Sequence, residues 1–362
     1  MLKKSVLLKT LPIGEPIAQN IFDEHDRLLL RQGSILTPEF IQRLESNNID
    51  SVYIVMDIAT NQESRPNKDE NKSKPIFKSV PANFYTFYNE LLYEQDRIEL
   101  RGYYKKPIQK EFLNQVNAFI ELLTRDPDTS LQFFLDIKKS QNKYKYNEHH
   151  INTGIMAILI SKWLNFDSNL TKEIAITSML HDIGETRIPS KILKKPGTLT
   201  KDEREIIETH PTIGVQILNK TDWINNRELY GVLTHHERLN GQGYPYKLLG
   251  SKITIHARVT AVASILNVAT TDRPYARAKN ILEVLLEIRN RSYGELDSKV
   301  ARVLYENIID FLHRNRKTIL LNNGDKGHLL KGHKQELKLI INGERGVYDL
   351  DDVKSPRVVN IS

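Results

Sequence analysis

The spacing of apolar residues changes character twice along the chain. Up to about residue 56, short apolar runs at 6–8, 17–22 and 28–30 alternate with turn residues, and the stretch ends in Asp50-Ser-Val-Tyr-Ile-Val. Runs of this length, bounded by glycine and polar residues, predict strands. Pro38 to Leu44 has helical spacing instead, with Thr37 suited to the N-cap and Pro38 to the first helical position. A small β-rich module with one helix is expected over 1–57. Asn61 to Pro75 (NQESRPNKDENKSKP) contains no large apolar residue and cannot bury enough surface to order itself, so 58–80 is expected to be a flexible polar linker.

From about residue 81 to 315 the rhythm becomes helical. Apolar side chains recur at three and four spacing in 112–123, 151–164, 174–183, 206–218 and 300–312. Thr200-Lys-Asp-Glu203 reads as a capping box, and His210-Pro211 closes one helix and opens the next. Over 316–362 the pattern reverts to glycine turns and short β-like runs at 337–341, 346–348 and 358–361, with Asn342-Gly343 as a turn. The expected fold class is mainly α: a helical bundle preceded by a β-rich module and followed by a short β appendage.

Composition narrows the chemistry. The 362 residues are 40% hydrophobic and 27% charged, an ordinary soluble balance. No apolar run approaches the roughly 18–20 residues of a membrane span, and the first residues lack the apolar core of a secretory signal, so a cytoplasmic protein is expected. There is no cysteine. Disulfides, thiolate metal sites and cysteine nucleophiles are excluded, and any metal must be held by nitrogen and oxygen. The net charge of +7 is concentrated at the end of the chain: 314–362 carries ten Lys or Arg against six Asp or Glu. That basic excess is no argument for an anionic substrate, and no nucleic-acid polymer is expected as a partner.

Six of the eleven histidines, His149, His150, His181, His210, His235 and His236, fall between 149 and 236, about twice the share even spacing would give. His181-Asp182 ends an apolar helical run, where burying both groups unpaired costs several kcal/mol. Read alone, the pair fits a hydrogen-bonded structural dyad as well as a metal site. His210 before proline fits a helix cap as well as a ligand, and His235-His236 fits a helix terminus that favours positive charge. Neighbouring helix positions point about 100° apart, so His235 and His236 converge only on a broad centre such as a pair of ions.

The order and wording of these segments resemble the HD-GYP family of metal-dependent phosphohydrolases. The matching text is HDIGE at 181–185, KILKKPGTLTKDE at 191–203, HP at 210–211, HHERLNGQGYP at 235–245 and TDRPYARA at 271–278, within a match spanning about 130–315. The segment LPIGEPIAQNIFDEHDRLLLRQGSILT looks like the small module that precedes such domains, and Asn342-Gly343-Glu344-Arg345-Gly346 looks like the β extension that follows them. The resemblance implies an HD-type all-helical bundle that binds two divalent ions, iron or manganese first, with zinc, nickel or magnesium also admissible. It implies hydrolysis of the bacterial messenger cyclic di-GMP to pGpG or GMP. Carried over by motif, the ligands are His149, His181, Asp182, His210, His235 and His236, with Asp182 as the bridging, catalytic carboxylate; a one-residue slip would choose His150 over His149. Arg187, Lys191, Lys194, Arg273 and Tyr244 are the candidates for substrate contact. The resemblance also implies contact with diguanylate cyclases through the GYP loop. A homodimer is left open.

Several positions depart from the family pattern. Its phosphate-binding lysine is Glu185 here, its last metal-ligating aspartate is Ser264, and an aspartate-alanine pair nearby is Asn267-Val268. Lys145 stands where members with a third metal carry glutamate, and Ala276 stands at a basic position. Glu185, one helical turn past His181, is a candidate substitute for the lost carboxylate. These changes leave two readings, an attenuated phosphodiesterase and a catalytically inactive receptor or protein-interaction module.

Overall fold

The computed structural model describes residues 2–7, 21–22, 28–30, 38–47, 49, 51–56, 106–140, 146–221, 223–272, 277–331, 337–341, 347–349 and 358–361. The chain divides into two compact units, Met1–Lys74 and Pro75–Ser362. In the first, β1 (Leu2–Leu7) pairs antiparallel with β4 (Ser51–Met56), β2 (Ile21–Phe22) pairs with β3 (Leu28–Leu30), and α1 (Pro38–Glu45) lies between β3 and β4 in sequence. Ile21, Leu30, Leu44 and Val52 form its small core. The expected linker at 58–80 lies outside the described residues.

The second unit is built around one helix. It comprises α2 (Lys106–Arg125), α3 (Pro127–Ser140), α4 (Tyr146–Trp163), α5 (Ser168–Leu180), α6 (Ser190–Leu193), α7 (Lys201–Glu208), α8 (His210–Leu218), α9 (Asn226–Thr234), α10 (Ile255–Ala269), α11 (Ile281–Arg291) and α12 (Ser298–Arg314). On α4 the six consecutive residues from Ile155 to Ile160 are all buried. A helix apolar on every side must be surrounded by protein, and α4 packs against α2, α3, α5, α10 and α12.

Local sequence sets the ends of the helices that matter most. Asp167 caps α5 by accepting from the Leu170 amide at 2.8 Å. The expected Thr200–Glu203 capping box starts α7, and Asn225 with Glu228 forms a second box at the start of α9. Pro211, near the start of α8, sits where its missing N–H removes no helical hydrogen bond.

The C-terminal sheet shares the helical core. Strands β5 (Thr318–Leu321), β6 (Lys326–Lys331), β7 (Leu337–Ile341), β8 (Val347–Asp349) and β9 (Val358–Ile361) run in the order β8-β7-β6-β5-β9, antiparallel throughout. Ile319, Leu321, Leu329 and Leu339 belong to the same apolar cluster as α4, α5 and α12. Runs 337–341 and 358–361 coincide with β7 and β9, and 346–348 lies one residue early on β8. The β5–β6 hairpin was not singled out in the sequence; its turn is carried by Gly324, at φ +90°. Among the described residues no helix is long and apolar enough to cross a membrane.

Candidate metal centre

Four helix ends meet at Asp182. His181 and Asp182 lie at the exit of α5, His210 is the first residue of α8, and His235 and His236 follow the last residue of α9. His149 reaches in from the first turns of α4. His149, His181, Asp182, His210 and His235 are all buried. Gly184 allows this convergence, because a Cβ there would lie 1.9 Å from the His210 carbonyl oxygen and 2.6 Å from the Gly214 amide.

The carboxylate of Asp182 is divided between two imidazole pairs. Its Oδ2 is 3.0 Å from Nε2 of His181 and 3.3 Å from Nε2 of His149. Its Oδ1 is 3.2 Å from Nε2 of His210 and 3.2 Å from Nε2 of His235. Within the pairs, the Nε2 atoms of His149 and His181 are 3.3 Å apart and those of His210 and His235 are 3.4 Å apart. Two donor groups result, His149–His181–Asp182 and Asp182–His210–His235–His236, each with its ligand atoms within 4.8 Å of one another.

Three of the imidazoles are set in the tautomer a metal requires. Nδ1 of His181 lies 2.8 Å from the Ser178 carbonyl, that of His210 2.7 Å from Ile207, and that of His235 2.7 Å from Val232. A carbonyl oxygen only accepts, so each Nδ1 carries a proton, and Nε2 is the ring atom that faces Asp182 and binds an ion once the imidazole is neutral. Burial opposes the charged form of the two histidines that follow α9. It drives His235 down to about 4 against the opposing bond to Asp182, and it takes His236 well below the usual imidazole range, helped by the His235 and His210 charges. For Asp182, burial favours the neutral acid, but the His181 charge and hydrogen bonds from His149, His181 and His210 outweigh it and keep the carboxyl well below its ordinary value. For His210, burial is likewise outweighed, by the Asp182 bond and the Asp182 and Glu185 charges, and its value is raised. A buried set of imidazoles around one ionised carboxylate suits a divalent cation such as iron, manganese or zinc.

The remaining sequence candidates are placed unevenly. His150 is fully buried behind the centre, with its ring 5.4 Å from those of His149 and His181, and belongs to neither donor group. Glu185 is half-buried on the turn Ile183–Arg187 and also belongs to neither group. Its charge is felt at His210 and at Tyr244. Ser264 is half-buried on α10, one turn before Asn267. Arg187, Lys191 and Lys194 are exposed along the segment that leaves Asp182. Arg273, Lys145 and Ala276 lie outside the described residues. Tyr244 stacks face to face on His236, with centroids 4.5 Å apart and planes at 19°.

The sequence reading missed the roles of two side chains. Asn267 appeared there only as a departure; it reaches across from α10 to His149. Glu237 was passed over, although a carboxylate directly after two site histidines was the available signal. It is buried and accepts from the backbone amides of Tyr246 and Leu248 at 2.7 and 2.9 Å.

A helical bundle whose helix ends deliver histidines to a shared aspartate defines a metal-binding bundle of the HD class. Residues 136–300 match the family model described as HD domain. A cyclic di-GMP phosphodiesterase of Thermotoga maritima is 31% identical over 235 residues, 63% of this chain and 64% of that protein. A cyclic di-GMP phosphodiesterase of Pseudomonas aeruginosa is 29% identical over 199 residues, 55% and 47% of the two chains. A 3'3'-cGAMP-specific phosphodiesterase of Vibrio cholerae is 33% identical over 156 residues, 41% and 34%. The chain thus spans between about half and two thirds of the length of the first two relatives. Among solved structures, an HDG"Y"P protein from Bdellovibrio bacteriovorus shares the fold, with a TM-score of 0.52 at 14% identity over 84% of this chain and 99% of that one. Over residues 136–300 the chain therefore carries an HD domain.

Proposed function

We propose that this chain is a divalent-metal-dependent phosphodiesterase that hydrolyses cyclic di-GMP in the cytoplasm. The observation that carries the reading is the division of Asp182 between two imidazole pairs, the arrangement expected of a carboxylate that bridges two ions. His149, His181 and Asp182 would hold one ion, and Asp182, His210, His235 and His236 the other. Iron or manganese is the first choice for both, and the donor set also admits zinc, nickel and magnesium. When bound, such ions supply a water of lowered pKa and positive charge against the phosphoryl oxygens. The chain's own part is to fix the imidazole tautomers, keep Asp182 ionised and exclude bulk water. Arg187, Lys191, Lys194 and Arg273 are the candidates for holding the substrate phosphates.

A second reading has its own support. Glu185 places negative charge beside His210 where a lysine would attract phosphate, and Ser264 brings no carboxylate. Both changes favour a protein that binds cyclic di-GMP without turning it over. One experiment separates the readings: protein purified with iron or manganese retained is assayed for bound metal and for conversion of cyclic di-GMP, with the double variant His181→Ala, Asp182→Ala as control. Turnover lost in the control supports the phosphodiesterase. Tight binding without turnover for every metal supports the receptor. Faster cleavage of 3'3'-cGAMP than of cyclic di-GMP would overturn the substrate assignment.

A further inference from the structure

The imidazoles of the larger donor group are not all aimed in the same way. His210 and His235 are each fixed by an Nδ1 hydrogen bond to a carbonyl three residues earlier. Among the described residues His236 has no hydrogen bond from its ring. Its contacts are with rings: His235 at 4.1 Å, His210 edge-on at 4.9 Å and Tyr244 stacked at 4.5 Å. The Tyr244 face is the one contact among these that comes from outside the donor group.

Tyr244 is held there by the loop that carries it. The loop folds back on the segment it leaves: a Cβ at Gly243 would lie 2.4 Å from Glu237 Cα and 2.5 Å from both the Arg238 amide and the His236 carbonyl oxygen. Only glycine permits that approach. Beyond Tyr244, the two carboxylate oxygens of Glu237 each take one backbone amide, Oε1 from Tyr246 and Oε2 from Leu248. Asn240 and Leu249 close the loop's base in an antiparallel bridge. A buried carboxylate accepting two amides is a strong clamp, because charge-assisted bonds are roughly twice as strong as neutral ones.

We propose that Glu237 is a positioning residue for the metal centre: by clamping the loop after Pro245 it keeps the Tyr244 ring flat on His236 and so sets the direction of the His236 lone pair. The inference rests on the metal-centre reading above. It assigns Tyr244 an orienting role through its ring face, and a buried carboxylate outside the ligand set a share in ion affinity.

The test is titration of the apo protein with Mn2+ and with Co2+, reading affinity, stoichiometry and the visible Co2+ absorption. Glu237→Gln keeps the shape but turns an amide NH2 toward a backbone N–H; it should weaken the ion held by His236 by about tenfold or more and alter the Co2+ spectrum. Tyr244→Leu removes the stacked face without touching the clamp and should do the same, while Tyr244→Phe, which restores the face, should recover affinity to within about twofold of the unmodified protein. If His236→Ala loses the ion but Glu237→Gln and Tyr244→Leu both keep unmodified affinity and spectrum, the positioning role is overturned. If His181→Ala, Asp182→Ala binds metal as well as the unmodified protein, the metal-centre reading fails first. Should Glu237→Gln not fold, Glu237→Asp, whose shorter carboxylate withdraws from the Tyr246 and Leu248 amides, is read in its place by the same titration and spectrum.

Discussion

The side-chain amide nitrogen of Asn267 lies 2.7 Å from Nδ1 of His149 and donates to the His149 carbonyl oxygen at 2.9 Å, joining α10 to α4 across 118 residues of sequence. The other three imidazoles around Asp182 turn Nδ1 toward a carbonyl, an acceptor; His149 turns it toward a donor. The two donor groups are therefore unequal, and the His149 side is the less prepared for a cation. Replacing Asn267 by aspartate supplies an acceptor and should tighten binding at that side by about tenfold, the usual scale for a group that orients a ligand. Metal titration of Asn267→Asp against the unmodified protein checks this, and weaker binding in the variant would refute it.

On the proposed function, Glu185 would make the site less hospitable to phosphate. Its charge helps raise His210, and on the proposed function it repels an anionic substrate. Glu185→Lys should raise turnover of cyclic di-GMP by about ten- to a hundredfold, since a hydrogen bond to a charged group contributes about 1.5–3 kcal/mol. Steady-state kinetics with metal content held equal gives the answer; an unchanged or lower rate would count against it.

Gly184 controls the distance between the exit of α5 and the start of α8. Both atoms nearest an added Cβ are backbone, so Gly184→Ala must push α8, and His210 with it, away from Asp182. The expected cost is about 2–3 kcal/mol in stability, with weaker metal binding alongside. Thermal unfolding with and without added Mn2+ measures both effects.

Glu228, in the capping box of α9, should make stability depend on pH. Burial, reinforced by the Glu173 charge, raises its carboxyl to about 7 from the ordinary glutamate value of 4.5, against the opposing Asn225 amide bond and Lys172 charge. Between those two values the folded chain holds a proton that the unfolded chain has released. Stability therefore falls as pH rises through that window. Glu228→Gln keeps an oxygen for the Asn225 amide, as a capping box allows. It should be more stable than the unmodified protein at pH 8 by about 1–2 kcal/mol, reduced from the full shift for partial solvent access, and nearly equal to it at pH 4. Urea unfolding at the two pH values tests the sign.

What the sequence revealed of this molecule was mostly what repeats or stands next to itself. Helix rhythm in 300–312 reflects burial of one face along a regular axis, and capping at Thr200 is a contact over three residues, so both could be read directly. His181-Asp182, His210-Pro211 and His235-His236 were visible because each occupies a helix end beside its own punctuation. The Asn267–His149 contact and the Glu237 clamp were not, because they join segments through the packing of α10 on α4 and through a loop that doubles back. Neither leaves a periodic trace. Glu185 shows the converse: one turn from His181 is near enough in sequence to suggest a ligand, yet the chain tightens from α-helix to a 3-10 turn at Ile183, and Glu185 falls outside both donor groups.

The convergence on Asp182 also bears on cohesion in a chain without cysteine. Its donors are drawn from points 32, 25 and 53 residues apart. Closing loops of that size in the unfolded chain costs about 3–4 kcal/mol each. An ion held there would cross-link α4, α5, α8 and α9 much as a disulfide braces a secreted domain, but the bond would yield to a chelator instead of a reductant. The supply of that ion would then govern how firmly this part of the chain is tied together, whether or not any substrate is present.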